Sequence, residues 1–451
     1  MKRYFFLGFL IVISFATTAV AQRKLPAKAY ITSAKIDVIE GRPEEAVALL
    51  DSLFMNYGCH SEGLDLIAQI MVDYVTKAPT PKGKEPHVIK MVAYFDSLRT
   101  CCGDEKVDKK YRKDCDKLVE KADSTEIRFW REFYNSGLEQ LTTLQEFSKE
   151  LANAADSQTM DFYKKGIDAK ADTSIADLGL ALMIDSSDDR PYVAIGSILE
   201  GQKKYEEAIN WFIKSLKYTD DSSSMLLSIA YNYVNIDKYC DAIPHFEQYY
   251  GLNPTDLSNA NNLTICYIKC EKFPEAVATY RKMLEVDSTH GDALMGLGNF
   301  YQRDAGTLIK SARLLSEEKK DAEAKSKREQ GNIIFDTAAQ FYERYIRAYP
   351  DSISGYDEYG VINYLLGRYD KAAAAFEKLA KLEPNKVENW ISLGDTYFSL
   401  NDFKSAIPAY EKAVELTPNS KILWERLSFL YLETGNSGKK AEADKKFKDL
   451  K

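Results

Sequence analysis

Three observations predict an all-α fold built from repeated pairs of helices. Pro350, Pro384 and Pro418 lie 34 and 34 residues apart. Each closes a segment in which alanine stands one turn before an aromatic: Ala338 and Tyr342, Ala372 and Phe376, Ala406 and Tyr410. One helix before the last of these, Trp390, Leu393, Gly394 and Tyr397 follow at helical spacing. A single helix pair cannot bury its apolar face alone, so a fixed period of this length implies a stacked array. The composition agrees: 45% of the 451 residues are hydrophobic and 28% charged, ample for a core. At about 150 residues per domain the length suggests about three domains, yet an array reaches it as one body.

The chain opens with Lys2 and Arg3, an apolar run from Tyr4 to Phe15, and Ala19-Val20-Ala21. Charge, short apolar run and small residues make residues 1–21 a secretory signal, with a mature chain expected to begin at Gln22. No cysteine follows the run to take a lipid, and no later stretch reaches 18 apolar residues, so no integral span is expected after cleavage. The expected location is periplasmic or secreted. The net charge of −8 becomes −10 without Lys2 and Arg3, which gives no support to nucleic-acid binding.

Residues 22–122 read as degenerate helix pairs. Ala46 to Leu53 resembles Met91 to Leu98, and both are expected to be second helices, after first helices near 29–40 and 62–76. Pro79, Pro81, Gly83 and Pro86 predict a longer loop between the latter pair. Residues 123–188 fall out of frame and are read as a helical connector, with helices over 127–154 and 157–169. From 189 to 451 the frame is regular, with units near 189, 223, 257, 291, 353 and 387 and a capping pair over 421–451. The unit from 291 to 352 exceeds the period by 28 residues, read as extended helix projecting over about 304–332.

Trp390-x2-Leu393-Gly394-x2-Tyr397 followed by Ala406-x3-Tyr410 and Pro418 resembles the tetratricopeptide repeat, a 34-residue helix–turn–helix unit. The resemblance covers about 189–451 and implies a right-handed superhelical solenoid with a concave groove lined by first helices. By that resemblance the groove presents Val193, Leu227, Tyr231, Asn261, Ile265, Met295, Asn299 and Arg303. The lysine and asparagine clamp of chaperone-binding members, which holds a C-terminal carboxylate, occurs in no unit here. What remains suits an extended or helical segment of a protein or peptide partner.

Seven cysteines in an exported chain require an account. In a stacked array the start of one second helix lies beside the end of the next first helix. Cys240 and Cys270 hold those places and can pair, whereas Cys266 reads as a small buried residue. Cys59 can be clipped to Cys101 or Cys102, with Cys115 taking the other. The rival is a metal site from Cys59, His60, Cys101 or Cys102, and Cys115, but the spacing lacks paired CxxC knuckles. No phosphate loop, nucleophile elbow or zinc-protease helix is present, so no catalytic residue, metal or cofactor is expected. The resulting expectation is an exported, non-enzymatic scaffold. The alternatives are a homo-oligomeric component of an envelope or secretion machine, or a metal-dependent protein using the N-terminal cysteines.

Overall fold

A computed structural model describes residues 25–154 and 156–450. Among them are twenty α-helices, one 3-10 turn at Lys109–Tyr111, and no strand. The helices fall into two compact units that divide between Met225 and Leu226. The expected signal, residues 1–21, lies outside the described residues.

The first unit contains α1 (Ala27–Ile39), α2 (Pro43–Tyr57), α3 (Ser61–Lys77), α4 (Pro81–Gly103), α5 (Cys115–Asn153), α6 (Ser157–Ile184), α7 (Arg190–Gly201) and α8 (Tyr205–Ser215). Its largest core joins Leu50, Ile67, Met91 and Phe95 to Phe129, Phe133, Leu180 and Ala181. Helices α5 and α6 thus build the same core as the four helices before them. The long loop expected from Pro79 to Pro86 is absent, because α4 begins at Pro81 and continues through Pro86. A proline at the first helical position costs no hydrogen bond. Thr80 caps this helix through the hydroxyl, which accepts from the Gly83 amide at 3.2 Å.

Helix α9 (Ser223–Asn235) spans the division. The second unit continues with α10 (Tyr239–Leu252), α11 (Leu257–Lys269), α12 (Phe273–Val286), α13 (Gly291–Glu317), α14 (Asp321–Ala348), α15 (Ile353–Leu365), α16 (Tyr369–Leu382), α17 (Val387–Ser399), α18 (Phe403–Leu416), α19 (Lys421–Glu433) and α20 (Ser437–Asp449). Consecutive helices pair, and successive pairs stack in chain order from α10 against α11 to α18 against α19.

Recurrent contacts explain the period. A Cβ added to Gly394 would stand 2.9 Å from the Tyr410 ring, and one on Gly298 would stand 2.5 Å from the Tyr342 ring. The small residue lets the two helices of a pair close, and the aromatic fills the gap. Neighbouring pairs are then tied by tyrosine. The hydroxyl of Tyr267 donates to Glu247 at 2.6 Å, Tyr431 to Glu411 at 2.7 Å, and Tyr397 to Glu377. Burial first, then the neighbouring carboxylate, pushes the Tyr397 phenol up to about 12. Trp390 and Trp424 each donate their indole N–H to a proline carbonyl six residues earlier, at 2.9 and 2.8 Å.

The insertion is divided between the two helices of one pair. The turn residue in left-handed conformation lies at Asp237, Glu271, Asn401 and Gly435 in ordinary pairs, fourteen residues after 223, 257, 387 and 421. In the long pair it is Lys319, fourteen residues later than that place. Fourteen residues are close to four helical turns, about 21 Å, so both helices keep the same face inward. Ala305, Ala312 and Ala324 are fully or almost fully buried, and a Cβ on Gly331 would meet Ile309 at 2.9 Å.

Candidate partner-binding cleft

Helices α11, α12 and α13 of the second unit enclose a cleft of about 300 Å³. Its floor is Val277, Tyr280 and Gly296, and its walls are Ile268, Phe273, Asn299, Phe300 and Arg303. The cleft exists because position 296 carries no side chain: a Cβ there would stand 2.4 Å from the Tyr280 ring. Tyr280 is buried, and burial keeps its hydroxyl protonated well above the ordinary phenol range.

Arg303 gives the cleft its chemistry. Its guanidinium lies 3.8 Å from the Phe273 ring centroid and 5.3 Å from that of Phe300. Two aromatic faces fix the planar cation at the rim. Among the described residues Arg303 has no carboxylate within ion-pair distance, so its charge faces outward uncompensated. Asn299, one turn earlier, accepts the Tyr342 hydroxyl at 2.7 Å through its side-chain carbonyl, which leaves the amide NH2 at the rim. Exposed Ile268 completes an apolar edge. The arrangement can take an apolar side chain into the floor and an acceptor or negative charge at the rim.

The structure separates the other residues expected at the groove from this cleft. Val193 lies on α7 of the first unit and is half-buried. Leu227 packs on the core of Ala230, Ile243 and Phe246, and Met295 packs on that of Ala305, Phe335 and Tyr342. Asn261 is half-buried, and its backbone carbonyl accepts the Thr264 hydroxyl at 2.6 Å. Ile265 is 42% exposed and Tyr231 37% exposed, outside the cleft. The Tyr231 hydroxyl is not available to a partner in the way the sequence suggests. It donates to the Asn259 side chain and accepts from the Asn262 amide at 2.8 Å, while the ring stands edge-on to Phe246 at 5.4 Å. Tyr231 therefore ties α9 to α11. Phe300, three residues before Arg303 on α13, carries a legible spacing signal, whereas Phe273 reaches Arg303 from α12 and no sequence spacing links the two.

The cysteines pair as Cys240–Cys270, Cys59–Cys101 and Cys102–Cys115, with Cα separations of 5.7, 5.5 and 5.5 Å. Cys266 is a buried free thiol, pushed up to about 11 by burial. The first-unit cysteines are thus consumed, and the rival metal cluster has no thiolate to offer. Among the described residues no group of three His, Cys, Asp or Glu is placed to hold a metal ion, and no helix is long and apolar enough to cross a membrane.

Two family models described as tetratricopeptide repeat match residues 189–221 and 360–421. No curated protein matches the chain. Among solved structures, it is similar to the C-terminal part of a TPR repeat-containing protein from Cytophaga hutchinsonii, at 21% identity and TM-score 0.39, over 58% of this chain and 95% of that one. A tetratricopeptide repeat protein from Parabacteroides merdae aligns at 16% identity and TM-score 0.30, over 64% of this chain and 99% of that one. YrrB, described as a TPR protein with an unusual peptide-binding site, aligns at 18% identity and TM-score 0.29, over 46% of this chain and 95% of that one.

Proposed function

From the premise that this chain is a tetratricopeptide-repeat protein, we propose that it is an exported scaffold that holds a segment of a protein partner in the cleft of α11, α12 and α13. The observation that carries this reading is Arg303, stacked on two phenylalanine rings and lacking a carboxylate of its own, above an apolar floor. A repeat array supplies a rigid, extended surface, which suits it to recognition. Aromatic and arginine anchors carry most of the energy of such contacts. Export is supported by the charged and apolar start of the chain and by six of seven cysteines standing in pairs, a usage that persists in oxidising compartments. The periplasm of a two-membrane cell is the proposed location.

The test places a photo-crosslinking residue at Ile268, on the cleft edge, in protein produced by its native host. A partner band that depends on light and weakens in Arg303→Ala supports the reading. Crosslinking only between copies of this chain replaces it with the homo-oligomeric alternative. N-terminal sequencing of the same material is expected to begin at Gln22; an intact Met1 would overturn export by cleavage.

A further inference from the structure

We propose that Cys240, Cys266 and Cys270 of the second unit form a thiol-exchange site, in which the disulfide moves from Cys240–Cys270 to Cys266–Cys270 and Cys240 is released as an exposed thiol. Six of the seven cysteines stand in pairs, and the seventh, Cys266, lies one helical turn from a pair. The Cys270 amide donates to the Cys266 carbonyl at 3.0 Å, so the two residues share one side of α11. Both pack on the core of Ala242, Ile243 and Phe246. Neighbours at this helical spacing have Cβ atoms about 5–6 Å apart, and a disulfide needs about 4.5 Å or less. The adjustment, roughly 1 Å on those figures, falls on the last turn of α11, which Cys270 caps.

The two ends of the existing bond are not equivalent. Cys240 is exposed and second in α10, at the amide end of that helix, which favours a thiolate. Cys270 is half-buried at the carbonyl end of α11, which disfavours one. Attack on the Cys270 sulfur with Cys240 leaving is therefore the favoured direction. Cys266 supplies the nucleophile. Its thiolate attacks Cys270, and the Cys266–Cys270 bond forms as the Cys240–Cys270 bond breaks. The electron pair leaves on Cys240, and the proton given up by Cys266 to water is replaced by one taken up there. One disulfide and one thiol stand on each side, so no oxidant or reductant is consumed.

Burial holds the step in check. Cys266 is 1% exposed, and burial pushes its thiol up to about 11. About one molecule in a thousand then carries the thiolate at pH 8. Exchange is slow near neutral pH and about tenfold faster for each pH unit towards 11. The product has lost the covalent link between α10 and α11. It displays on α10 a thiol able to exchange with a partner's disulfide, whose second sulfur leaves.

This inference does not rest on the partner reading above, and mass mapping of the full chain tests it in two ways. In Cys240→Ser oxidised with glutathione disulfide, a Cys266–Cys270 bond is expected. Recovery of both as free thiols or glutathione adducts, with Cys59–Cys101 and Cys102–Cys115 formed, overturns the proposal. Wild-type protein held with iodoacetamide at pH 7, 8 and 9 is expected to take one label per chain, on Cys240, with Cys266 and Cys270 joined. The labelling rate should rise about tenfold per pH unit. Cys266→Ala should take no label, with helicity by circular dichroism equal to that of wild type. A label on Cys266 with Cys240–Cys270 intact, a label on Cys240 in the alanine variant, or no label in the wild type overturns the proposal.

Discussion

At the start of α3 a neutral imidazole does the work usually given to serine or aspartate. His60 Nδ1 accepts the Gly63 amide at 3.4 Å, and the ring is 7% exposed, 5.3 Å from the ring of Tyr111. Only the unprotonated nitrogen can accept, and burial pushes the His60 pKa below its ordinary value, against a smaller opposing pull from Glu62. The sign follows. The unfolded chain takes up a proton near pH 6.5 while the folded one resists, so stability is complete above that pH and is lost as pH falls below it. Urea denaturation at pH 7.5 and 5.5 is expected to show lower stability at 5.5. His60→Asn, which caps without titrating, should reduce the difference and leave the share of His87 and His245, whose pKa values burial also lowers. An equal loss in both proteins would remove His60 from the account. The sequence offered His60 only as a metal candidate, because a histidine cap has no pattern that separates it from a ligand.

Helix pairing was legible because alanine, glycine and aromatics recur at fixed places, and each recurrence is a physical contact: Gly394 under Tyr410, Gly298 under Tyr342. What was less legible is what links one pair to the next. Glu247, Glu377 and Glu411 keep the same place in their units, yet they read as solvated charge until the tyrosine hydroxyls reach them. Tyr267→Phe removes one such tether and should cost about 1–2 kcal/mol in a denaturant titration; no loss would mean that water replaces the bond. The division of the insertion was also hidden. Its turn uses Lys319 at a φ of 61°, and lysine carries no turn signal, whereas the corresponding turn at Gly367 is marked by glycine. Lys203, at a φ of 60°, bears the same strain in the first unit. Lys203→Gly is expected to raise stability by about 1 kcal/mol, since a side chain in left-handed backbone costs roughly that much. Gly367→Ala should lower stability by a similar amount. A change of the opposite sign in either variant would show that these turns are held by something other than local backbone preference. The proline-rich stretch at the start of α4 reads as a loop for a related reason: Pro81 starts a helix as readily as it breaks one.

At the scale of the molecule, two compact units offer different surfaces: polar and acidic beside α5, apolar and arginine-capped beside α13. The groove residues named from repeat positions divide between core, tether and rim, because a repeat position states which way a side chain leaves its helix and not what its neighbours do with it. Leu227 and Met295 are drawn into packing, Tyr231 is held by two asparagines, and Asn299 and Arg303 reach the cleft. The central claim is that this cleft is a recognition site. It is tested most directly by calorimetric titration of the crosslinked partner's segment against the wild-type chain and Arg303→Ala, with circular dichroism on both. The account predicts unchanged helicity and a loss of about 2 kcal/mol, roughly thirtyfold in affinity, in the variant. Equal affinity with intact helicity would contradict it and return Arg303 to the solvent-exposed surface.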